Sequence, residues 1–148
     1  FYNRAYFDKY LLKKSRSILD DGTVMVSVTI TNQREINKEF GRNVGDDVLT
    51  LFSNELKRVF SKMNAMFVYN DNSHFIVVLE KTDSITVEDV LKNFTVSLDS
   101  REICENVGIK YTMGVAETFR DRIQSARALL VEAIKNSRDY ESAAKGTK

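Results

Sequence analysis

His74 is the single histidine and Cys104 the single cysteine among 148 residues, which narrows the available chemistry. A Ser-His-Asp or Cys-His nucleophile needs a base oriented by a third group, and neither set has support in this sequence. One thiol forms no intrachain disulfide and offers no zinc-type spacing. That usage fits a reduced, cytoplasmic setting. His74 follows Asn70-Asp71-Asn72-Ser73, four good turn formers in a row. Protonated, it would attract a phosphate; a solvent-facing histidine at a hairpin tip is the plainer reading. Asp71 offers a carboxylate to a hard cation, and an Asx turn explains it more simply. Twenty-two basic residues against twenty-one acidic leave a net charge of +1. Such a balance gives no electrostatic case for nucleic acid or for direct contact with an anionic membrane.

The elements that must position these groups follow from periodicity. Phe1, Tyr2, Tyr6, Phe7, Tyr10 and Leu11 recur at helical spacing, so residues 1–17 read as a helix. Val24, Val26, Val28 and Ile30 alternate with Met25, Ser27, Thr29 and Thr31, the mark of a strand with one buried face. Asn32 is placed to cap a short helix ending at Gly41. Val44, Val48, Phe52, Leu56 and Phe60 form a stripe every four residues, giving a helix over about 44–60. Residues 65–69 and 75–79 form a hairpin around the Asn70–Ser73 turn. Thr86-x-x-Asp89 opens another helix as a capping box. Ile109, Tyr111, Met113 and Val115 alternate as a strand, and Ile123 to Ile134 mark a closing helix. The tail from Ser142 to Lys148, small and polar, is expected to fray. The order α-β-α-α-β-β-α-β-α predicts an α+β fold with helices packed on a sheet. No apolar run reaches the roughly 20 residues that span a bilayer.

Four ordered stretches together resemble one family. Phe1-Tyr2-Asn3-Arg4-Ala5-Tyr6-Phe7 is similar to the helix-starting "L(Y/F)NRRYF" of GGDEF-type diguanylate cyclases. Residues Asn32 to Gly41 (NQREINKEFG) correspond to that family's "FKxINDxxG". Gly45-Asp46-Asp47-Val48-Leu49 matches "GDxxL", and Thr112-Met113-Gly114-Val115-Ala116 resembles "SxGVA". The resemblance spans nearly the whole chain as a single domain over 1–148. It implies a mostly antiparallel central sheet flanked by helices, of the GGDEF/nucleotidyl-cyclase type. It also implies a piece of a larger multidomain signalling protein, consistent with a start at Phe1 rather than Met and with a parent that carries a membrane anchor elsewhere.

The signature itself is replaced. Its five positions fall on Asp71, Asn72, Ser73, His74 and Phe75. In the family, Mg²⁺ sits on an aspartate at the end of the first strand and on the third signature residue, and the ions neutralise a triphosphate. Those metal positions are here Thr29 and Ser73, with Thr31 beside the first. The resemblance further assigns Asn37 and Asp46 to the guanine edge, and Arg34 and Arg138 to phosphates. Helix-end energetics account for Asn37 and Asp46 equally well. The family's last-helix lysine aligns with Ile134 and a nearby glycine with Ser137. The RxxD product-inhibition site aligns with Lys62-Met63-Asn64-Ala65, which lacks both the arginine and the acid.

These substitutions predict a catalytically inactive, degenerate GGDEF domain in cyclic-di-GMP-type signalling. It would act through dimer contacts or through a neighbouring sensory or EAL-type domain, with no required cofactor and GTP as its candidate ligand. Two rivals stand beside this reading. One is a weak cyclase or GTP hydrolase using Asp46, Asp47 or Asp71; the other is a ligand-free protein-interaction domain.

Overall fold

Alternation along β1 (Val24–Ile30) separates two cores, because successive side chains of a strand leave opposite faces. Val24, Val26, Val28 and Ile30 are buried on one face and Met25 on the other. The computed structural model describes Lys9 and residues 22–70, 72–101 and 106–142. Apart from Lys9, the helix expected over 1–17 lies outside the described residues, as do Asp71 and Cys104.

After β1 come α1 (Gln33–Phe40), α2 (Arg42–Val59), β2 (Ala65–Asn70) and β3 (His74–Leu79). Then follow α3 (Ser84–Asp99), β4 (Lys110–Glu117), α4 (Thr118–Asp121), α5 (Ala126–Lys135) and β5 (Arg138–Glu141). The five strands form one sheet in the order β2-β3-β1-β4-β5, and every neighbouring pair is antiparallel. The expected α+β architecture is therefore present, with β1 at the centre.

The first face is covered by α1, α2 and α3. Ile36, Val48, Phe52, Leu56, Val87, Leu91, Phe94 and Leu98 pack there against the valines of β1 and against β3. Phe52 anchors this core: Phe94 and Tyr111 meet it edge-on at 5.6 and 5.2 Å, and Phe75 stacks at 6.2 Å. Such geometries suit aromatic quadrupoles. On the second face, among the described residues, α5 presses Ala126, Leu129, Leu130 and Ala133 onto Met25, Ile76, Val78 and Ala116. The small alanines let α5 lie close, and Gly114 extends that approach. A Cβ at Gly114 would run into the carbonyl of Ala133 and the amide of Ser137.

Several boundaries differ from the sequence expectation for physical reasons. Asn32 occupies the N-cap position of α1 without capping it. Its side chain instead donates to the Gly108 carbonyl (2.9 Å) and accepts from the Lys110 amide (2.9 Å), tying the end of β1 to the start of β4. Helix α3 starts at Ser84, two residues before Thr86, because Asp83 is the N-cap and accepts from the Thr86 amide at 2.7 Å. The closing helix begins only at Ala126, capped by Ser125, and the one-turn α4 precedes it. A fifth strand follows α5, and Ser142 is the one residue of the tail expected to fray that lies within the described residues. It is 2% exposed, and its hydroxyl accepts from the Ile109 amide at 2.9 Å.

Candidate functional site

Cross-strand register sets out a polar row on the second face. Asn70 pairs with His74, His74 with Thr29, Thr29 with Thr112, and Thr112 with Asp139. Directly paired residues point to the same side of a sheet, so five polar side chains cross all five strands in one line. The next row inward is Val68, Ile76, Ser27 and Gly114, with its apolar members in the core beneath α5. The polar row thus borders the α5-covered core.

His74 sits in this row rather than at a solvated tip. It is half-buried, with Nε2 2.8 Å from Ser27 Oγ and Nδ1 3.3 Å from Asn70 Nδ2. Ser27 and Asn70 thus bracket the imidazole, one at each ring nitrogen. Three strands are held through one ring. Ser27 and Asn70 have no place in the sequence-based site, although period two from Thr29 points to Ser27. The turn below keeps the shape required: Asn72 and Ser73 have φ of 69° and 61°, a region that asparagine enters more readily than most residues. Ser73 is 5% exposed, and its carbonyl accepts from the Ile30 amide at 3.0 Å. Phe75, the fifth signature position, keeps the phenylalanine, faces the opposite side from His74 and joins the aromatic core.

Thr29, half-buried, and Ser73 present hydroxyls at the two positions that the resemblance assigns to metal. Asp139 closes the far end of the row as an exposed carboxylate. Among the described residues, no three His, Cys, Asp or Glu side chains converge as a metal-binding group.

Asn37 on α1 and Asp46 on α2 flank the α1–α2 corner. Gly41 makes that corner with a φ of 94°, open to glycine at little strain. The Asn37 amide fills the space that a Cβ on Gly45 would need, one residue from exposed Asp46. Because α2 starts at Arg42, Asp46 lies beyond the first turn, where helix-dipole stabilisation has faded. Gln33 intrudes here: its Nε2 donates to Asn37 Oδ1 (3.2 Å) and to the Gly45 carbonyl (2.9 Å). Gln33 Oε1 is buried without a partner.

The two arginines do not converge on the row. Arg34 is exposed on α1, one turn before Asn37. Arg138 pairs in register with Met113, and Tyr140 stacks on Tyr111 at 5.5 Å. Met113 and Tyr111 belong to the first core, so Arg138 leaves the sheet on the α3 side, opposite Thr29 and His74. Ile134 is 48% exposed on α5. Asn64, within the stretch aligned with the product-inhibition site, accepts from the Glu80 amide at 3.1 Å. No helix among the described residues is long and apolar enough to cross a membrane.

No curated protein matches the chain. Its fold is similar to solved GGDEF domains. The FimX domain of Pseudomonas aeruginosa aligns at 13% identity and a TM-score of 0.70, covering 92% of this chain and 86% of that one. DgcB from Caulobacter crescentus, coiled coil and GGDEF domain in complex with c-di-GMP, aligns at 17% and 0.72, covering 90% and 72%. The GGDEF domain of TpbB (YfiN) from Pseudomonas aeruginosa aligns at 21% and 0.69, covering 90% and 80%. The family description "Diguanylate cyclase, GGDEF domain" matches residues 1–145. With that match over nearly its whole length and the antiparallel five-stranded sheet, this chain belongs to the GGDEF domain family.

Proposed function

We propose that this GGDEF domain does not synthesise a cyclic dinucleotide and serves cyclic-di-GMP-type signalling as a regulatory module. The observation that carries this reading is the polar row. Where the family's metal ions require carboxylates, the row and its hairpin supply the neutral hydroxyls of Thr29 and Ser73. A hard divalent cation selects anionic oxygens, so these donors do not fit Mg²⁺, and no catalytic step is assigned to it. The carbonyl of Ser73 is engaged by Ile30, and the His74 ring by Ser27 and Asn70. The hairpin is built to hold its shape.

What remains is contact with partners and with a nucleotide base. Similar folds include a GGDEF/EAL protein from M. capsulatus, and the diguanylate cyclase SiaD solved with its activator SiaC. By analogy, the output here passes through a neighbouring EAL-type or sensory domain, or through a second copy of the domain. Asn37 and Asp46 support weak guanine-nucleotide binding without turnover, since an asparagine beside an aspartate complements the guanine edge. Gln33 opposes it by occupying Asn37 Oδ1.

Calorimetric titration with GTP and Mg²⁺, with product chromatography on the same sample, tests the proposal. Heat without product supports a nucleotide-sensing module. Neither heat nor product leaves a purely protein-binding one. Cyclic dinucleotide in the chromatogram would overturn the proposal.

A further inference from the structure

A cleft of about 740 Å³ opens at the β4–β5 edge, between α3 and the corner where α5 turns into β5. Its apolar floor includes Leu91, Met113 and Tyr140, and its rim carries Lys92, Lys135 and Arg138. Arg120 also lines it, but that guanidinium is engaged by Glu88 at 3.0 Å and Asp121 at 3.3 Å. Lys135 and Arg138 have no ion-pair partner among the described residues. Lys92 has only exposed Asp89, at 3.9 Å. Two lining carboxylates, Glu88 and Asp121, thus stand against four lining cations, in a chain whose overall charge is only +1.

We infer that this cleft is a binding site for a small phosphorylated ligand with a planar ring, of nucleoside-monophosphate size. The volume falls within the roughly 300–1,000 Å³ typical of small-molecule sites. Lys92 from α3 and Lys135 and Arg138 from the α5–β5 corner approach one opening from two sides. Arginine's planar fork matches phosphate oxygens, and each charge-assisted bond is worth more than a neutral one. Tyr140 already stacks on Tyr111, and a half-buried tyrosine at the floor gives a planar ring a surface to lie on. The cleft lies at the sheet edge, reached from α3 on one face and from the end of α5 on the other. None of Thr29, His74, Thr112, Asp139, Asn37 and Asp46 lines it. The cleft is therefore separate from the polar row and from the Asn37–Asp46 corner.

The test uses AMP, whose adenine lacks the guanine edge, so that failure of guanine reading at Asn37 leaves the outcome untouched. Titration of the full chain with AMP, adenosine and inorganic phosphate, without divalent cation, is followed by calorimetry and by amide chemical shifts. AMP is expected to bind, phosphate to bind more weakly, and adenosine to give no saturable signal. Arg138→Glu and Lys92→Glu should each weaken AMP at least about tenfold, the equivalent of losing one charge-assisted contact. Both residues are exposed, so a folded variant is expected, and unchanged amide dispersion verifies it. Absence of AMP binding at millimolar concentration would overturn the inference. So would AMP binding that survives both charge reversals.

Discussion

Ser27, a hydroxyl 2% exposed in the central strand, stays buried because His74 satisfies it. Unpaired, it would incur a desolvation penalty. Ser27→Ala removes that partner and leaves the ring nitrogen to find another in a half-buried site. The expected destabilisation is about 1 kcal/mol, a shift of a few degrees in Tm by calorimetry. A change within error would mean that the bond does not stabilise the hairpin. Glu55 is a second buried polar group, and its pH behaviour follows from its surroundings. Burial pushes its carboxyl up, but bonds from Arg58 and Ser97 and the charges of Arg101 and Arg58 outweigh that and hold it below the usual 4.5. Arg101 reaches it at 2.7 Å and Ser97 at 2.5 Å, joining α2 to α3. A depressed folded-state value contributes stability above the unfolded value and loses it as pH falls through the folded one. The wild type should therefore lose more stability than Glu55→Gln between pH 5 and the acid limit, while Glu55→Gln is less stable at pH 7. With both arginines half-exposed to screening, the neutral-pH difference is about 1–2 kcal/mol. Parallel urea midpoints for the two proteins across that range would sink the assignment.

Among the elements, α5 depends most on a single backbone position. Gly114 lies where the carbonyl of Ala133 and the amide of Ser137 leave no room for a Cβ. Gly114→Val must lift the end of α5 from β4, at an overpacking penalty of about 2–3 kcal/mol. Amide exchange should accelerate in α5 and β5 before the α1–α3 face, whereas uniform acceleration would mean that the two faces open together. Most of this layout is legible in the sequence. The period-two run of β1, the four-residue stripe of α2 and the turn formers at 70–73 each state their element locally. Helix starts are less legible: Asp83 and Thr86 both suit an N-cap, and only backbone direction selects Asp83. β5 escapes because Arg138–Glu141 is four residues long and mostly exposed, with no alternation to read. Its absence hides Asp139 from the site and the α3-side placement of Arg138, since facing follows from register with β4. Gln33 escapes for a related reason. Its bonds reach the Gly45 carbonyl across the α1–α2 corner, and nothing in its own neighbourhood announces them.

At the scale of the whole molecule, the two ends of the sheet carry different duties. At one end Glu117 is 6% exposed and accepts from the amides of Ser84 (2.5 Å) and Arg120 (2.9 Å), fastening α3 and α4 to β4. At the other end the polar row, the hairpin and the α1–α2 corner gather without a convergent acidic set among the described residues. If the loss of carboxylates is what separates this domain from a metal-binding one, restoring them should couple cation binding to global stability. Thr29→Asp with Ser73→Asp places two like charges in half-buried and buried positions near His74. Without cation the double variant should be less stable than wild type by about 1–3 kcal/mol, through repulsion and desolvation. Aspartate tolerates the left-handed backbone of position 73, so the hairpin turn need not change. A cation that binds only the folded state stabilises by mass action, so millimolar Mg²⁺ should raise the variant's Tm and leave the wild type unmoved. Metal binding is read here apart from synthesis, because Ile134 is apolar and Arg138 leaves the sheet on the face opposite the row. Equal stabilisation of both proteins by Mg²⁺ would mean that the hydroxyls of Thr29 and Ser73 suffice to hold the ion.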